Sequence, residues 1–264
     1  MSVVPLVHAG PERLFRVSQT RGDGGVLRGS MPVGPWLAEP DGTYRAGALG
    51  VLVDNLLGYS IIAHRPHGHC SVSTEITLDV LARPSGGLVR AEAFCVNVTS
   101  RTGYAVCEVA DDAGVVVARG SQRGWYVPVD GFATETEFET GPLSDVNNVW
   151  DLLGVRARGD DGAPPPLELR ASRSVLNPLR NVHGGVSLCV SELAAHTALT
   201  GGTGPALTTA SIHVAYTRGI PADSVARFDS VVVHRSRSLG VVDVAGSVDG
   251  KRCTSARIVA QAAG

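Results

Sequence analysis

Two short stretches of this sequence place small residues and a carboxylate at matching offsets. In one, Asn177 precedes His183 by six residues, two glycines follow the histidine, and Glu192 comes nine residues after it. In the other, Asp54 comes nine residues after Arg45, which an alanine and a glycine follow. Glycine at a helix start lets a ligand approach backbone N–H groups, and the helix dipole favours negative charge there. A carboxylate at such a place can act as a nucleophile or as a general base.

These stretches open two segments that are apolar on all sides, 45–63 and 183–199. A helix of that kind belongs in the middle of a domain. After each segment come alternating, β-branched runs broken by Gly, Pro and Asp, a pattern typical of antiparallel strands. The pattern of each half therefore predicts a strand, a buried helix and a meander of three or four strands, which is an α+β architecture. We place an N-terminal domain at 1–143 and a C-terminal domain at 144–264.

The composition predicts a globular protein in a reducing compartment. The chain has 264 residues, 44% hydrophobic and 18% charged, which suits one large or two small domains and excludes a disordered polyelectrolyte. A net charge of −2 argues against nucleic-acid binding. The five cysteines form no C-x-x-C pair, and we find neither a signal peptide nor an apolar stretch long enough for a membrane span. We expect a soluble, cytoplasmic protein that needs no metal or redox cofactor.

The second half resembles a known family. The string Asn177-Pro-Leu-Arg-Asn-Val-His183-Gly184-Gly185, with Glu192 nine residues after the histidine, is similar to the motif of hot-dog-fold acyl-CoA thioesterases. The resemblance is to their phenylacetate-pathway group, within the 4-hydroxybenzoyl-CoA thioesterase superfamily. That motif is an asparagine, five residues, His-Gly-Gly, and then an aspartate at the same spacing.

The first half is similar in layout but altered. Arg45 begins an Arg-Ala-Gly sequence where His-Gly-Gly would stand, and Glu39 stands in place of the asparagine. Asp54 is the family's acid in its usual form, while Ser73 and Thr209 occupy the Ser/Thr strand position of the two halves. The chain therefore resembles two hot-dog domains fused in tandem, each an antiparallel sheet wrapped around a central helix, which together form a pseudo-dimer.

The resemblance implies thioester hydrolysis, in which negative charge develops on the carbonyl oxygen. We predict that Gly184 N–H stabilises this charge. Glu192 lies eight residues beyond Gly184, about 12 Å along the helix axis, so it cannot serve a carbonyl held at that amide. The acid must come from another helix. In the family it comes from the partner subunit, and in a fused chain the other half takes that place.

This pairing predicts two unequal sites. Site one consists of Asn177, His183, Gly184, Asp54 and Ser73. Site two consists of Arg45, Ala46, Glu192 and Thr209. Because site two lacks the asparagine and the histidine, we expect site one to work and site two to be altered or silent.

Each of these residues also has a plain structural alternative. Asp54 could be a buried acid paired with Arg45, Glu192 could be a domain-interface residue, and Ser73 and Thr209 could be ordinary strand residues. Three arginines near hairpin turns could bind the phosphates of coenzyme A or could be solvated turn residues; they are Arg101, Arg235 and Arg237. A histidine cluster in 64–69 resembles a metal site, but its Pro/Gly context favours a solvated loop.

Three functions remain open at this level. The first is an acyl-CoA thioesterase, with acyl-CoA as the partner. The second is a non-catalytic acyl-CoA or lipid-binding protein, which the altered motif of the first half keeps open. The third is an acyl-thioester hydratase or dehydratase, of which Asn177-Pro178 is a faint sign. We also expect a homo-oligomer, a dimer of the two-domain chains.

Overall fold

The computed structural model describes residues 10–84, 86–129, 146–158, 164–200 and 206–262. The predicted boundary between 143 and 144 lies outside these ranges. The helices are α1 (Gly10–Leu14), α2 (Gly50–Ile62), α3 (Val149–Leu153) and α4 (Gly184–Thr200). The strands are β1 (Arg21–Asp23), β2 (Val26–Val33), β3 (His69–Val80), β4 (Gly87–Val98), β5 (Thr102–Ala110), β6 (Val116–Pro128), β7 (Arg156–Ala157), β8 (Leu167–Arg170), β9 (Leu207–Tyr216), β10 (Val225–Arg235), β11 (Leu239–Val248) and β12 (Lys251–Ala262). Short 3-10 helices occupy Pro35–Leu37, Ala46–Leu49 and Arg173–Val175.

The twelve strands of the described ranges form one antiparallel sheet. Their order is β1-β2-β4-β5-β6-β3-β9-β12-β11-β10-β8-β7. The two halves meet where β3 pairs with β9, in a register that runs from Glu75 opposite Ala215 to Asp79 opposite Ser211. Pairing these two strands removes the exposed edge that each half would otherwise present. The predicted α+β fold, with two tandem hot-dog halves joined edge to edge, is confirmed.

The two long helices lie on the same face of the sheet and form the core with it. Leu52, Leu56 and Leu57 of α2 are fully buried, as expected for a helix that is apolar all round. Small residues on the inward face of the strands let the helix come close. A Cβ on Gly120 of β6, for example, would lie 2.7 Å from Val53 Cγ1.

The N-terminal turns of α2 and α4 touch backbone to backbone. A Cβ on Gly50 would lie 2.8 Å from the carbonyl oxygen of Gly185, and a Cβ on Gly185 would collide with the carbonyl of Gly50. Only glycine permits this approach. Because the two helices cross here, Asp54 of α2 reaches the start of α4, and Glu192 of α4 reaches the start of the segment that leads into α2.

The N-terminal segment packs across both halves. Phe15 is fully buried, and α1 contacts both the 3-10 helix Arg173–Val175 and α2. Gly10 has a φ of +29°, and a Cβ there would lie 2.8 Å from the carbonyl oxygen of Leu176. The segment is therefore fitted closely against the loop that precedes α4. Among the helices of the described ranges, none is long and apolar enough to cross a membrane.

Candidate active site

Asp54 of α2 lies against the start of α4. Its side chain is buried, and its Oδ2 accepts a hydrogen bond of 2.8 Å from Gly185 N–H. His183 Nδ1 lies 3.0 Å from the same oxygen. The acid beside the His-Gly-Gly sequence therefore comes from the other half of the chain, as the helix length and the family resemblance together predicted.

The other oxygen of Asp54 faces two polar side chains of the sheet. Ser73 Oγ of β3 donates to Oδ1 over 3.3 Å, and Gln122 Nε2 of β6 donates to Ser73 Oγ over 2.7 Å. Gln122 is buried and was not singled out from the sequence. Its signal was a polar residue on the inward face of an alternating strand, where its inward neighbours Gly120 and Gly124 are small.

His183 is buried between two carboxylates. Its Nε2 lies 3.4 Å from Oε1 of Glu12, on the side opposite Asp54. Burial lowers the pKa of His183, but the charge of Asp54 and the contact with Glu12 outweigh it and raise the pKa to about 9. The ring is therefore an imidazolium at neutral pH. Gly185 N–H also lies 3.1 Å from Nδ1, but a protonated Nδ1 cannot accept, so Asp54 is the acceptor for that amide.

All five residues of site one line a single cavity of about 110 Å³. They are Asp54, Ser73, Asn177, His183 and Gly184. Glu12 also lines it, and Tyr59, Ile62 and Cys70 make another part of the wall apolar and aromatic. The structure thus brings together every member that the sequence assigned to site one. Their roles in a reaction stay predictions.

A second cavity of about 240 Å³ adjoins the first and shares four lining residues with it, which are Ser73, Asn177, Leu179 and Gly184. Thr217 and Arg218, both exposed, form part of its wall, so it reaches the protein surface. Arg218 follows β9 and was not singled out from the sequence. It places a guanidinium beside the outer cavity.

The loop before α4 and the first turn of that helix are held by their own hydrogen bonds. Asn177 Oδ1 accepts from the N–H groups of Leu179 and Asn181, at 3.0 and 3.2 Å, which closes a turn. Tyr216 donates its hydroxyl to the carbonyl of Gly184 over 2.7 Å. Burial, with the charge of Asp54, raises the pKa of Tyr216, so the hydroxyl remains a donor.

Gly184 has no room for a side chain. A Cβ there would lie 2.7 Å from Asp54 Oδ2. As the first residue of α4, Gly184 contributes one of the N–H groups that have no acceptor within the helix.

Site two repeats the contact between an amide and a carboxylate. Gly47 N–H donates to Glu192 Oε2 over 2.7 Å, and Thr209 donates its hydroxyl to Oε1. His196 Nε2 lies 2.8 Å from Thr209 Oγ1. Glu192 is fully buried, and burial raises its pKa although Thr209, Arg45 and Gly47 oppose the change.

Arg45 does not pair with Asp54. Its guanidinium Nε donates to Glu39 Oε1, and both side chains are largely buried. The alternative that Asp54 is a structural partner of Arg45 is therefore wrong. Burial, with the charge of Arg45, lowers the pKa of His196 to about 3, so this histidine is neutral.

The three predicted phosphate-binding arginines lie in different places. Arg101 is exposed, and its carbonyl accepts from Tyr126 N–H; the Tyr126 hydroxyl in turn donates to the carbonyl of Ile61, near the end of α2. Arg235 donates to the carbonyl of Leu199, about 22 Å along α4 from its first residue. Arg237 is exposed in the turn after β10. Only Arg101 of these three lies at the end of α2 that borders site one.

Comparisons with known proteins agree with this architecture. Residues 20–126 match the family model described as acyl-CoA thioesterase C-terminal domain, and residues 179–253 match the thioesterase superfamily model. No relative among curated proteins matches the chain.

Several solved structures share the fold over nearly their whole length. The tesB protein of Mycobacterium avium subspecies paratuberculosis is 12% identical, with 96% of this chain and 99% of that chain covered and a TM-score of 0.67. An acyl-ACP thioesterase from Bacteroides thetaiotaomicron is 12% identical, with 90% and 98% covered and a TM-score of 0.60. The 12:0-ACP thioesterase from Umbellularia californica is 14% identical, with 90% and 94% covered and a TM-score of 0.59. At these identities the likeness shows the fold.

Proposed function

Since the chain belongs to the thioesterase superfamily, we propose that it hydrolyses an acyl-CoA thioester to a free acid and coenzyme A at site one. The observation that carries this proposal is the carboxylate of Asp54 at the start of α4. It comes from one half, the helix start comes from the other, and both line one cavity.

The start of α4 suits the developing negative charge of the reaction. Gly184 begins the helix and lines both cavities, so a thioester carbonyl can approach its N–H without meeting a side chain. The helix dipole and the nearby imidazolium of His183 add positive potential at the same place. A fixed donor of this kind is typically worth about 10²–10³ in rate.

We assign Asp54 the task of activating water. Its Oδ2 is held by the short contacts from Gly185 and His183, whereas Oδ1 has the longer contact to Ser73. Oδ1 is therefore the freer oxygen, and a water beside Ser73 can give its proton to it. Gln122 fixes the Ser73 hydroxyl and so orients this position. The alternative route is direct attack by Asp54 on the carbonyl, which expels the coenzyme A thiolate and forms a mixed anhydride. If water then attacks the Asp54 carbonyl of that anhydride, the acid released in a single turnover in ¹⁸O-water carries an unlabelled oxygen from Asp54, whereas activation of water always puts a labelled oxygen into the acid.

The two cavities suit the two parts of the substrate. The apolar wall around Tyr59 and Ile62 suits the acyl group, and the outer cavity suits the pantetheine arm. Arg218, in the wall of the outer cavity, is our first candidate for binding a phosphate of the nucleotide, and Arg101 is a second candidate. In the reaction proposed here, side chains and backbone groups of the chain perform every step.

The test is release of free thiol from a panel of acyl-CoA substrates by the purified full chain, read with a thiol reagent. We expect turnover by the natural chain and almost none by Asp54→Asn. An absorbance readout for hydration of enoyl-CoA runs beside it. Hydration without thiol release would support the hydratase alternative, and tight binding of acyl-CoA with neither reaction would support a binding protein. The cytoplasmic location, the domain boundary and the dimer of two-domain chains stay predictions.

A further inference from the structure

The N-terminal segment brings a carboxylate into site one that neither family model covers. Glu12 precedes the first matched range, 20–126, yet it is buried and lines the same cavity as Asp54 and His183. Its Oε1 lies 3.4 Å from His183 Nε2. The histidine therefore has one carboxylate on each ring nitrogen.

The segment holds Glu12 in a fixed position. Phe15 N–H donates to the carbonyl of Pro11 over 2.9 Å, and Val17 N–H donates to the carbonyl of Glu12 over 2.7 Å. Phe15 is fully buried, and the guanidinium of Arg16 lies 3.5 Å above the centre of the Trp36 ring. The hydrogen bonds close the short turn around Glu12, and Phe15 and Arg16 tie its C-terminal end to the rest of the protein.

The charges around His183 require a cation at its place. Asp54 of α2 and Glu12 of α1 are the two acids that face the ring, and Tyr216 of β9 contributes a neutral hydroxyl at the next residue. Within the described ranges, no arginine or lysine forms an ion pair with either acid. Two buried carboxylates without a cation would be strongly unfavourable.

We propose that Glu12 is a positioning residue of site one: it holds His183 as an imidazolium, which in turn fixes Oδ2 of Asp54 and leaves Oδ1 for water. The second half of this statement rests on the proposed function, and the first half does not. A neutral ring with hydrogen on Nε2 would present a lone pair, not a donor, to Asp54. Because Glu12 and Asp54 each face a ring nitrogen, a neutral ring could donate to only one of them, and the charge on Glu12 therefore favours the imidazolium, which donates to both.

The first experiment reads His183 itself. In ¹⁵N-histidine NMR of the ligand-free full chain, His183 is assigned among the 8 histidines by the signal that His183→Gln removes. We expect it to titrate near pH 9 in the natural chain. In Glu12→Gln, which keeps the side-chain size and an acceptor, the titration should fall by about one to two pH units. A natural His183 that titrates near pH 6.5, or one that Glu12→Gln leaves unmoved, overturns the proposal.

The second experiment reads the reaction. Loss of the imidazolium should end activity on the alkaline side, so Glu12→Gln should shift the alkaline limb of kcat to lower pH by the same amount as the NMR titration, with little change in KM. Glu12→Asp keeps the charge and should restore most of the shift, which also serves if Glu12→Gln folds poorly. An equal loss of kcat at every pH would indicate a purely structural role and contradict the proposal. If the natural chain shows no turnover while the NMR titration moves as expected, the function proposed above fails and the role of Glu12 toward His183 stands.

Discussion

The starts of α2 and α4 offer a comparison within one molecule. At one, Asp54 accepts a hydrogen bond from Gly185 N–H; at the other, Glu192 accepts one from Gly47 N–H. Asp54 lies seven residues after Gly47, and Glu192 lies seven residues after Gly185. Each acid thus accepts from the glycine of the other half that corresponds to the glycine of its own half. The contact between amide and carboxylate therefore belongs to the way the two helices cross, and by itself it does not indicate catalysis.

The difference lies in what surrounds each carboxylate. Asp54 lies at a cavity, beside an imidazolium and a hydroxyl. Glu192 is fully enclosed, and Thr209 and Gly47 occupy its oxygens. Arg45, at the position of His183, turns to Glu39 and gives Glu192 no short contact. Access to solvent and substrate, and not the backbone geometry, separates the two sites.

The largest expected effect tests the two acids against each other. Asp54→Asn should lower kcat by about 10²–10⁴, because it removes the group that takes the proton. Glu192→Gln, the matched change at site two, should lower kcat less than threefold. Thiol release at saturating acyl-CoA measures both, and circular dichroism checks the fold. If Glu192→Gln lowers kcat more than Asp54→Asn does, site two and not site one is the active site.

A smaller effect on kcat is expected at Gly184, which follows His183, and at Ala46, which follows Arg45. Gly184→Ala places a Cβ 2.7 Å from Asp54 Oδ2 and must displace the carboxylate. A displacement of about 1 Å can cost about 10²-fold in kcat. Ala46→Gly, the reverse change at site two, should leave kcat nearly unchanged. Equal activity of Gly184→Ala and the natural chain would show that the position of Asp54 does not limit the rate.

The histidines of the two sites should contribute differently to the pH dependence of the protein's stability. The folded pKa of His183, about 9, exceeds its unfolded value of 6.5, so its contribution is complete below pH 6.5 and is lost as pH rises through 9. The difference corresponds to a contribution on the order of 3 kcal/mol, or several degrees in Tm. In His183→Gln the dependence of Tm on pH between 6.5 and 9 should become weaker. In His196→Gln it should stay as in the natural chain, because His196 is neutral over that range. An unchanged slope in His183→Gln would assign the dependence to other groups.

The smallest difference is one of stoichiometry. A non-hydrolysable acyl-CoA analogue should titrate at one tight site per chain, because Glu192 is enclosed and Arg45 fills the position of the histidine. Isothermal titration calorimetry measures this number directly, and Asp54→Asn should keep it. Two equal tight sites per chain would remove the asymmetry between the halves.

Most of the fold could be predicted because its signals are local. Two helices that are apolar on all sides must lie inside, and alternating β-branched runs must pair, so repetition of the pattern at Arg45 and His183 already indicates two similar halves. The same local spacing, with the rise of a helix, places Glu192 too far from Gly184, and the family resemblance implies that Asp54 of the other half takes its place. The site-one residues follow from this reasoning together with the family motif.

Glu12, Gln122 and the pairing of Arg45 with Glu39 could not be predicted in this way. Glu12 and His183 are far apart in the chain, and their contact exists only because α1 packs against the loop before α4. Gln122 faces Ser73 because β6 pairs with β3 in one register; a shift by one residue would turn Gln122 to the other face of the sheet. The sequence alone determined which residue types stand at the helix starts and how far each acid lies along its helix. The tertiary structure decided which charges meet and which carboxylate borders a cavity, because those depend on how separate elements pack.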